Sequence, residues 1–212
     1  MNDPKTVEPR LLNAASLAEA DVGSCEWDRN RNSSLLAVSP NGLTIEWRPR
    51  RMRIWRKLMP VGRNKFYPPA WVPASTRMHL HSGTFRLSFV VDEMARAQIG
   101  VGFMLSWNVG PDWGFFGYLG ASPTAWAYDP STGDVVCNTK SVQGGLPKFS
   151  NGRTGLVSVR LELPRGDDGF GTFIVDGLET RRIPLPAGAV VVPAACLLRE
   201  GQRVTLSGYE RR

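Results

Sequence analysis

Hydrophobic and polar residues alternate with a period of two along much of the chain from residue 25 onward. This alternation is typical of strands that bury one face, because successive side chains of a strand point to opposite sides. It predicts four strands whose inward residues are Leu43, Ile45 and Trp47; Phe85, Leu87, Phe89 and Val91; Ile99, Val101, Phe103 and Leu105; and Val157, Val159, Leu161 and Leu163.

Turn signals separate the apolar runs. The pairs Asn41-Gly42, Gly133-Asp134, Gly144-Gly145 and Asp176-Gly177 lie where tight connections between strands are expected. The run Phe173-Ile174-Val175 before Asp176-Gly177 looks like one arm of a hairpin. Many short strands joined by Gly- and Pro-containing turns predict an all-β protein, an antiparallel sandwich or barrel.

The first 24 residues differ from the rest. Leu11, Leu12, Ala15 and Ala18 fall near one helical face, which predicts a short helix around 10–20. Such a helix is marginal alone and needs a surface to pack on. We therefore expect an N-terminal arm over 1–24 and one domain over 25–212, a length that can bury a sizeable core.

A series of short motifs follows the predicted strands in a recognisable order. It resembles the SPRY domain family over residues 80–209, whereas residues 25–79 match the preceding PRY-like part only loosely. The motifs are Ile99-Gly100-Val101-Gly102-Phe103, Gly117-Tyr118-Leu119-Gly120, Ala125-Trp126-Ala127-Tyr128-Asp129, Phe173-Ile174-Val175-Asp176-Gly177, Val192-Pro193-Ala194 and Val204-Thr205-Leu206.

The resemblance implies a bent sandwich of two antiparallel sheets, a concanavalin A-like jelly roll. In that family, loops at one end form a recognition surface for a short peptide or another protein, and catalysis is not a family property. One branch binds peptides through an aromatic residue before Leu-Gly and through a later Trp-Gly pair. The first position matches Phe115, but the second falls on Arg199-Glu200, so that peptide specificity does not carry over.

The positive charge of the chain is concentrated in one segment. The net charge is +7, from 26 Lys and Arg against 19 Asp and Glu, yet residues 47–65 hold eight basic groups and no acid. The remainder, with 18 basic against 19 acidic residues, is close to neutral. The protein is therefore a near-neutral globule with a basic segment.

Several interpretations of that segment remain open. It could be a solvated loop or strand in which Met52 and Ile54 point inward and arginine stems cover apolar surface. It could dock an acidic protein partner, bind nucleic-acid phosphates with Trp stacking on bases, or, less in keeping with its pattern, meet an anionic membrane. The candidate contacts are Arg50, Arg51, Arg53, Arg56 and Lys57.

A second candidate surface is rich in aromatic rings. Five rings lie between residues 107 and 118, with Gly110-Pro111 and Gly114 interrupting regular structure; they either fold onto the core or meet a partner. Trp126 is predicted to be core. The cluster consists of Trp107, Trp113, Phe115, Phe116 and Tyr118, and the candidate loop contacts are Phe115, Phe116, Tyr118, Arg199 and Glu200.

No set of residues points to catalysis or to a metal. His79 and His81 lack a nearby third ligand, which favours a pair of surface residues, and Asp167-Asp168 is typical of a turn. No P-loop, nucleophile elbow or Rossmann fingerprint occurs. We expect no enzymatic activity, cofactor, metal or small-molecule substrate.

Cysteine usage and the N-terminus bear on location. Cys25, Cys137 and Cys196 are far apart and odd in number, which favours free thiols in a reducing compartment. The N-terminal residues lack the apolar core of a secretory signal, and no apolar run approaches the ~20 residues of a membrane span. These features predict a soluble, intracellular and cytoplasmic protein, without excluding the nucleus or an organelle-associated assembly.

The sequence thus favours a non-catalytic protein–protein interaction module, an adaptor or structural subunit of a larger complex. Its partner, possibly acidic, would meet the end loops and the 47–65 segment. The alternative is a nucleic-acid-associated protein that binds the phosphate backbone through the basic segment. A glycan-binding lectin is a third hypothesis, suggested by the architecture alone.

Overall fold

The computed structural model describes residues 25–30, 32, 35–48, 71–92, 99–106, 118–149, 154–199 and 201–212. The arm over 1–24 and its predicted helix lie outside these residues. The described part contains fourteen strands: β1 Leu36–Val38, β2 Thr44–Trp47, β3 Val72–Ser75, β4 Gly83–Asp92, β5 Gly100–Leu105, β6 Ala125–Asp129, β7 Asp134–Cys137, β8 Lys140–Gln143, β9 Gly155–Leu163, β10 Gly169–Val175, β11 Leu178–Glu179, β12 Ile183–Leu185, β13 Val191–Leu197 and β14 Arg203–Arg211.

These strands form two antiparallel sheets, as the alternation and the motifs predicted. The eight-stranded sheet has the order β1-β2-β14-β4-β9-β10-β11, with β12 also paired to β10. The six-stranded sheet has the order β3-β13-β5-β6-β7-β8. The link between β13 and β14, residues 198–202, passes from one sheet to the other. No helix in the described part of the chain is long and apolar enough to cross a membrane.

The inward residues predicted from the alternation form the core between the sheets. Phe89 of β4 pairs with Leu206 of β14 on one side and with Val157 of β9 on the other, and all three are buried. The ring of Phe103 stacks on Phe173 across the sandwich, with centroids 5.6 Å apart, and on Trp126 of the neighbouring strand β6 at 5.3 Å. The prediction that Trp126 is core is confirmed.

Two hairpin turns use the left-handed backbone region. Asp176 and Gly177 have φ values of 48° and 81°, which is the type I′ geometry that Asp-Gly favours, so the predicted turn is confirmed. Asn138 and Thr139 close the β7–β8 hairpin at 51° and 62°. A positive φ is costly for the β-branched Thr139, and its amide donates to the Gly120 carbonyl at 2.9 Å.

The strands of the six-stranded sheet from β3 to β6 are buried on both faces, which the alternation did not predict. Every residue of β5, β6 and β13 is buried. Small and medium side chains cover the outward face and form a second apolar cluster: Met104, Leu119, Ala125, Ala127, Val192, Ala194 and Cys196, with Trp71 and Tyr118 packed against it.

The first prediction concerns Gly102, which lies between β6 and β13. A Cβ at Gly102 would be closer to the carbonyl oxygen of Trp126 than any real contact allows. We expect Gly102→Ala to lower the free energy of unfolding by about 3 kcal/mol, as overpacking of a rigid site does. Gly144→Ala is the matched control, because its Cβ would meet only the movable carboxylate of Asp134. Urea unfolding of both variants tests this, and equal stability of the two would contradict it.

Candidate interaction site

Two of the predicted contact residues, Tyr118 and Arg199, belong to the described part of the chain. Both lie near the point where β13 ends and the chain crosses to β14. The other predicted contacts lie outside the described residues: Phe115, Phe116 and Glu200 of the loop surface, and Arg50, Arg51, Arg53, Arg56 and Lys57 of the basic segment.

Arg199 lies on a loop that a buried amide holds in shape. The side-chain carbonyl of Gln202 accepts hydrogen bonds from the backbone amides of Leu198 at 2.7 Å and Arg199 at 2.8 Å. Gln202 itself is completely buried, whereas Arg199 is exposed. The backbone at Leu198 and Arg199 is therefore fixed, and Arg199 presents its charged side chain to solvent.

The same loop is bonded to the end of β2. The amide of Trp47 donates to the Gln202 carbonyl at 3.1 Å, and the amide of Gly201 donates to the Trp47 carbonyl at 3.3 Å. Trp47 is the first residue of the basic segment 47–65. The basic segment therefore begins beside the loop that carries Arg199.

The chain returns to the same end of the sandwich at Trp71. Val72 pairs with Leu197 across β3 and β13, so Trp71 lies next to the start of the 198–202 loop. The Trp71 ring contacts Tyr118, with centroids 4.7 Å apart and planes at 53°. We call the group of Trp47, Trp71, Tyr118, Leu198, Arg199, Gly201 and Gln202 the loop end.

The ring of Tyr118 packs against two glycines, Gly100 and Gly120. A Cβ at Gly100 would lie 2.8 Å from one edge of the Tyr118 ring, and a Cβ at Gly120 would lie 2.9 Å from the other. The two glycines of the matched motifs thus make room for the ring. Tyr118 is half-buried, so it packs on the second apolar cluster while keeping part of its surface exposed.

Two polar groups of the loop end are buried without a partner among the described residues. They are the Tyr118 hydroxyl and the indole N–H of Trp47. Burial raises the pKa of Tyr118 well above its usual range, so the phenol is neutral at physiological pH. Unsatisfied buried groups are uncommon in folded proteins.

The thiols are packing groups. Burial raises the pKa of Cys25 and of Cys196 from 9.0 to about 12, and the amide of Leu119 donates to the Cys196 sulfur at 3.4 Å. Burial also raises the pKa of the half-buried Cys137. Because the nucleophile is the thiolate, these thiols are poorly reactive at neutral pH.

The two histidines lie on the surface beside β4. His79 and His81 are both exposed, and a ring nitrogen of His81 lies 3.5 Å from the His79 carbonyl. No group of three metal-ligating side chains occurs among the described residues. Asp167 and Asp168 lie in the exposed link between β9 and β10, which confirms the predicted turn.

Sequence reasoning missed two residues of this site. Trp71 carries no signal besides its aromatic character, because its contact with Tyr118 depends on the pairing of β3 with β13. The sequence does not indicate that Gln202 is buried either, because an amide side chain in a polar loop is normally exposed. Both assignments require the topology.

The architecture is similar to that of three solved SPRY domains. The chain aligns with the SPRY domain of human HERC1 at a TM-score of 0.60 and 14% identity, covering 86% of this chain and 97% of that one. The TRIM65 PSpry domain aligns at 0.54 and 14%, over 85% and 87% of the two chains. A human SPRY domain aligns at 0.51 and 16%, over 82% and 95%.

No family model matches the sequence, and neither does any curated protein. The structural likeness nevertheless spans most of the chain. The fold is SPRY-like, as the resemblance predicted.

The second prediction concerns the Tyr118 hydroxyl. Tyr118→Phe removes a buried group that has no partner among the described residues, so we expect stability to stay within about 1 kcal/mol of wild type or to rise. Tyr118→Ala removes the ring above Gly100 and costs about 3 kcal/mol. Thermal or urea unfolding distinguishes the two; a phenylalanine variant as unstable as the alanine variant would show that the hydroxyl makes an important bond.

The third prediction concerns alkaline stability. A thiol whose pKa is raised in the folded state holds its proton more tightly there, so stability falls as pH rises above 9.0 and continues to fall until about 12. In that window Cys196→Ala should reduce the slope of the free energy of unfolding against pH by about 1.4 kcal/mol per unit. Urea titrations at several pH values measure the slope for wild type and for Cys196→Ala. Equal slopes for the two proteins would contradict a raised pKa of the Cys196 thiol.

Proposed function

We propose that this chain is an intracellular, non-catalytic protein-interaction module, an adaptor or structural subunit that binds its partner at the loop end. The observation that carries the proposal is the convergence at this end. The basic segment begins at Trp47, which is bonded to the Arg199 loop. Trp71, which follows the segment in the sequence, contacts Tyr118. The described residues that border the basic segment and the predicted loop surface therefore lie at the same end of the sandwich.

The loop end has the physical properties of a binding surface. Gln202 fixes the loop backbone before any partner arrives, so little conformational entropy remains to be lost on binding. Aromatic rings and arginine are also the residue types that most often dominate binding energy. The SPRY-like fold agrees with this role, because loops at one end of that fold form the recognition surface.

Basic residues of the 47–65 segment that lie outside the described residues would extend this surface. Arg48, at the exposed start of the segment, already pairs with Glu46 at 2.7 Å, so it adds little free charge. The charge available to an acidic partner would come from Arg50, Arg51, Arg53, Arg56 and Lys57. The nucleic-acid hypothesis gains no support from the described residues and stays a prediction.

The fourth prediction tests this function by affinity purification from the native source. Proteins recovered with wild type should be reduced about tenfold or more by Arg199→Glu, and likewise by Arg50, Arg51, Arg53 and Arg56 changed together to glutamate. Arg181→Glu is the control for Arg199→Glu, because Arg181 is equally exposed and lies on the β11–β12 link.

Unaltered recovery with both variants would contradict the loop end as the binding surface. A Phe115→Ala and Phe116→Ala double variant tests the aromatic loop in the same assay. Retention of RNA or DNA by the wild type in a filter assay, lost steeply between about 50 and 200 mM salt, would instead support the nucleic-acid alternative.

A further inference from the structure

The outward face of the eight-stranded sheet carries an uncharged band that no described strand covers. Two neighbouring rows of side chains form the band, and the strand register defines both rows. The first row is Thr44, Thr205, Val90 and Leu156, on β2, β14, β4 and β9, and the second is Ser88, Ser158 and Ile174, on β4, β9 and β10.

The hydroxyl groups of the band are already paired with one another. The side-chain oxygens of Thr44 and Thr205 lie 3.0 Å apart, and those of Ser88 and Ser158 lie 2.9 Å apart. Leu156, between these pairs and the edge of the band, is 39% exposed. An apolar surface can therefore cover the band without leaving a buried hydroxyl unpaired.

Charged rows border the band on both sides. Across the strands they run Glu46, Arg203 and Asp92 on one side, and Glu210, Arg86 and Arg160 on the other. Each row contains both signs, so the surrounding charge selects neither an acidic nor a basic occupant. The band instead offers apolar contact, which favours an apolar occupant.

The described chain begins close to the band. The amide of Trp27 donates to the Gly42 carbonyl at 2.9 Å, and Gly42 lies two residues before Thr44, the first member of the band. Neighbouring strands are about 4.8 Å apart, so Val90 lies about 10 Å from Thr44 and Leu156 about 15 Å from it. The residues that precede the described chain therefore start within reach of the whole band.

The arm over 1–24 has the sequence pattern that such a band requires. Leu11, Ala15 and Ala18 recur at helical spacing, with Leu12 beside them. An exposed sheet face is commonly buried against the apolar stripe of a helix. Because the arm is tethered beside the band, its effective concentration there is about millimolar, which a free partner or a second copy would have to exceed.

We propose that the N-terminal arm docks on this band through Leu11, Leu12, Ala15 and Ala18. Leu156 is at the centre of the contact, because it is the most exposed residue of the band. Packing on the band supplies the support that a short helix lacks alone. The proposal does not depend on the function proposed for the loop end.

The fifth prediction is tested on the full chain by hydrogen exchange and mass spectrometry. The amides of residues 11–20 should exchange at least about tenfold more slowly in wild type than in a Leu11→Glu and Leu12→Glu double variant. Leu156→Glu should remove the same protection, because it places a charge in the band. Leu178→Glu is the matched control and should keep the protection, since Leu178 is 55% exposed and lies on β11, outside the band.

Three outcomes would overturn the proposal. They are fast exchange of residues 11–20 in wild type, equal protection in the Leu156→Glu and Leu178→Glu variants, and protection that increases with protein concentration, which would show that a second copy supplies the arm. If Leu156→Glu also accelerates exchange in β9 and β14, Leu156→Ser replaces it. That variant must accelerate exchange of the arm while both strands stay protected, and failure to do so counts against the proposal.

Discussion

The contact of Phe103 with Phe173 and Trp126 is the interaction on which the rest of the structure depends. It joins β5 of the small sheet to β10 of the large one, and it defines which face of each strand is inward. Once that face is fixed, Gly100 and Cys196 must lie on the outward face of the small sheet. The site at the loop end is built on that outward face, so the position of Tyr118 follows from the core.

Much of the fold was predictable because the large sheet buries mainly one face. The residues of β4 and β9 alternate over most of each strand, except at the buried Ser88 and Ser158, and the hairpin at Asp176 follows from turn chemistry. The small sheet was harder to predict. Strand β13 is buried at every position, and a continuous apolar run carries no period from which its facing can be inferred.

The candidate site was predictable in its residue types and less so in its geometry. Arg199 and Tyr118 were identified from family motifs, yet they are 81 positions apart in the chain. Their proximity depends on two pairings, that of β3 with β13 and that of β5 with β13. Trp71 entered the site only through the pairing of β3 with β13, and Gln202 only through its hydrogen bonds to Leu198, Arg199 and Trp47, because neither carries a signal in the sequence that separates it from an ordinary surface residue.

The two ends of β14 illustrate different ways to present arginine. At the loop end, Gln202 orders the backbone and leaves the Arg199 side chain free, so the ordering cost of the loop falls on folding and not on binding. At the other end of the strand, the Arg211 guanidinium lies over the ring of Phe85, 5.8 Å from its centroid. Strand β14 pairs with β4 along its length and with β2 at its start, so the large sheet holds both ends of the strand, and with them the Arg199 loop, in place.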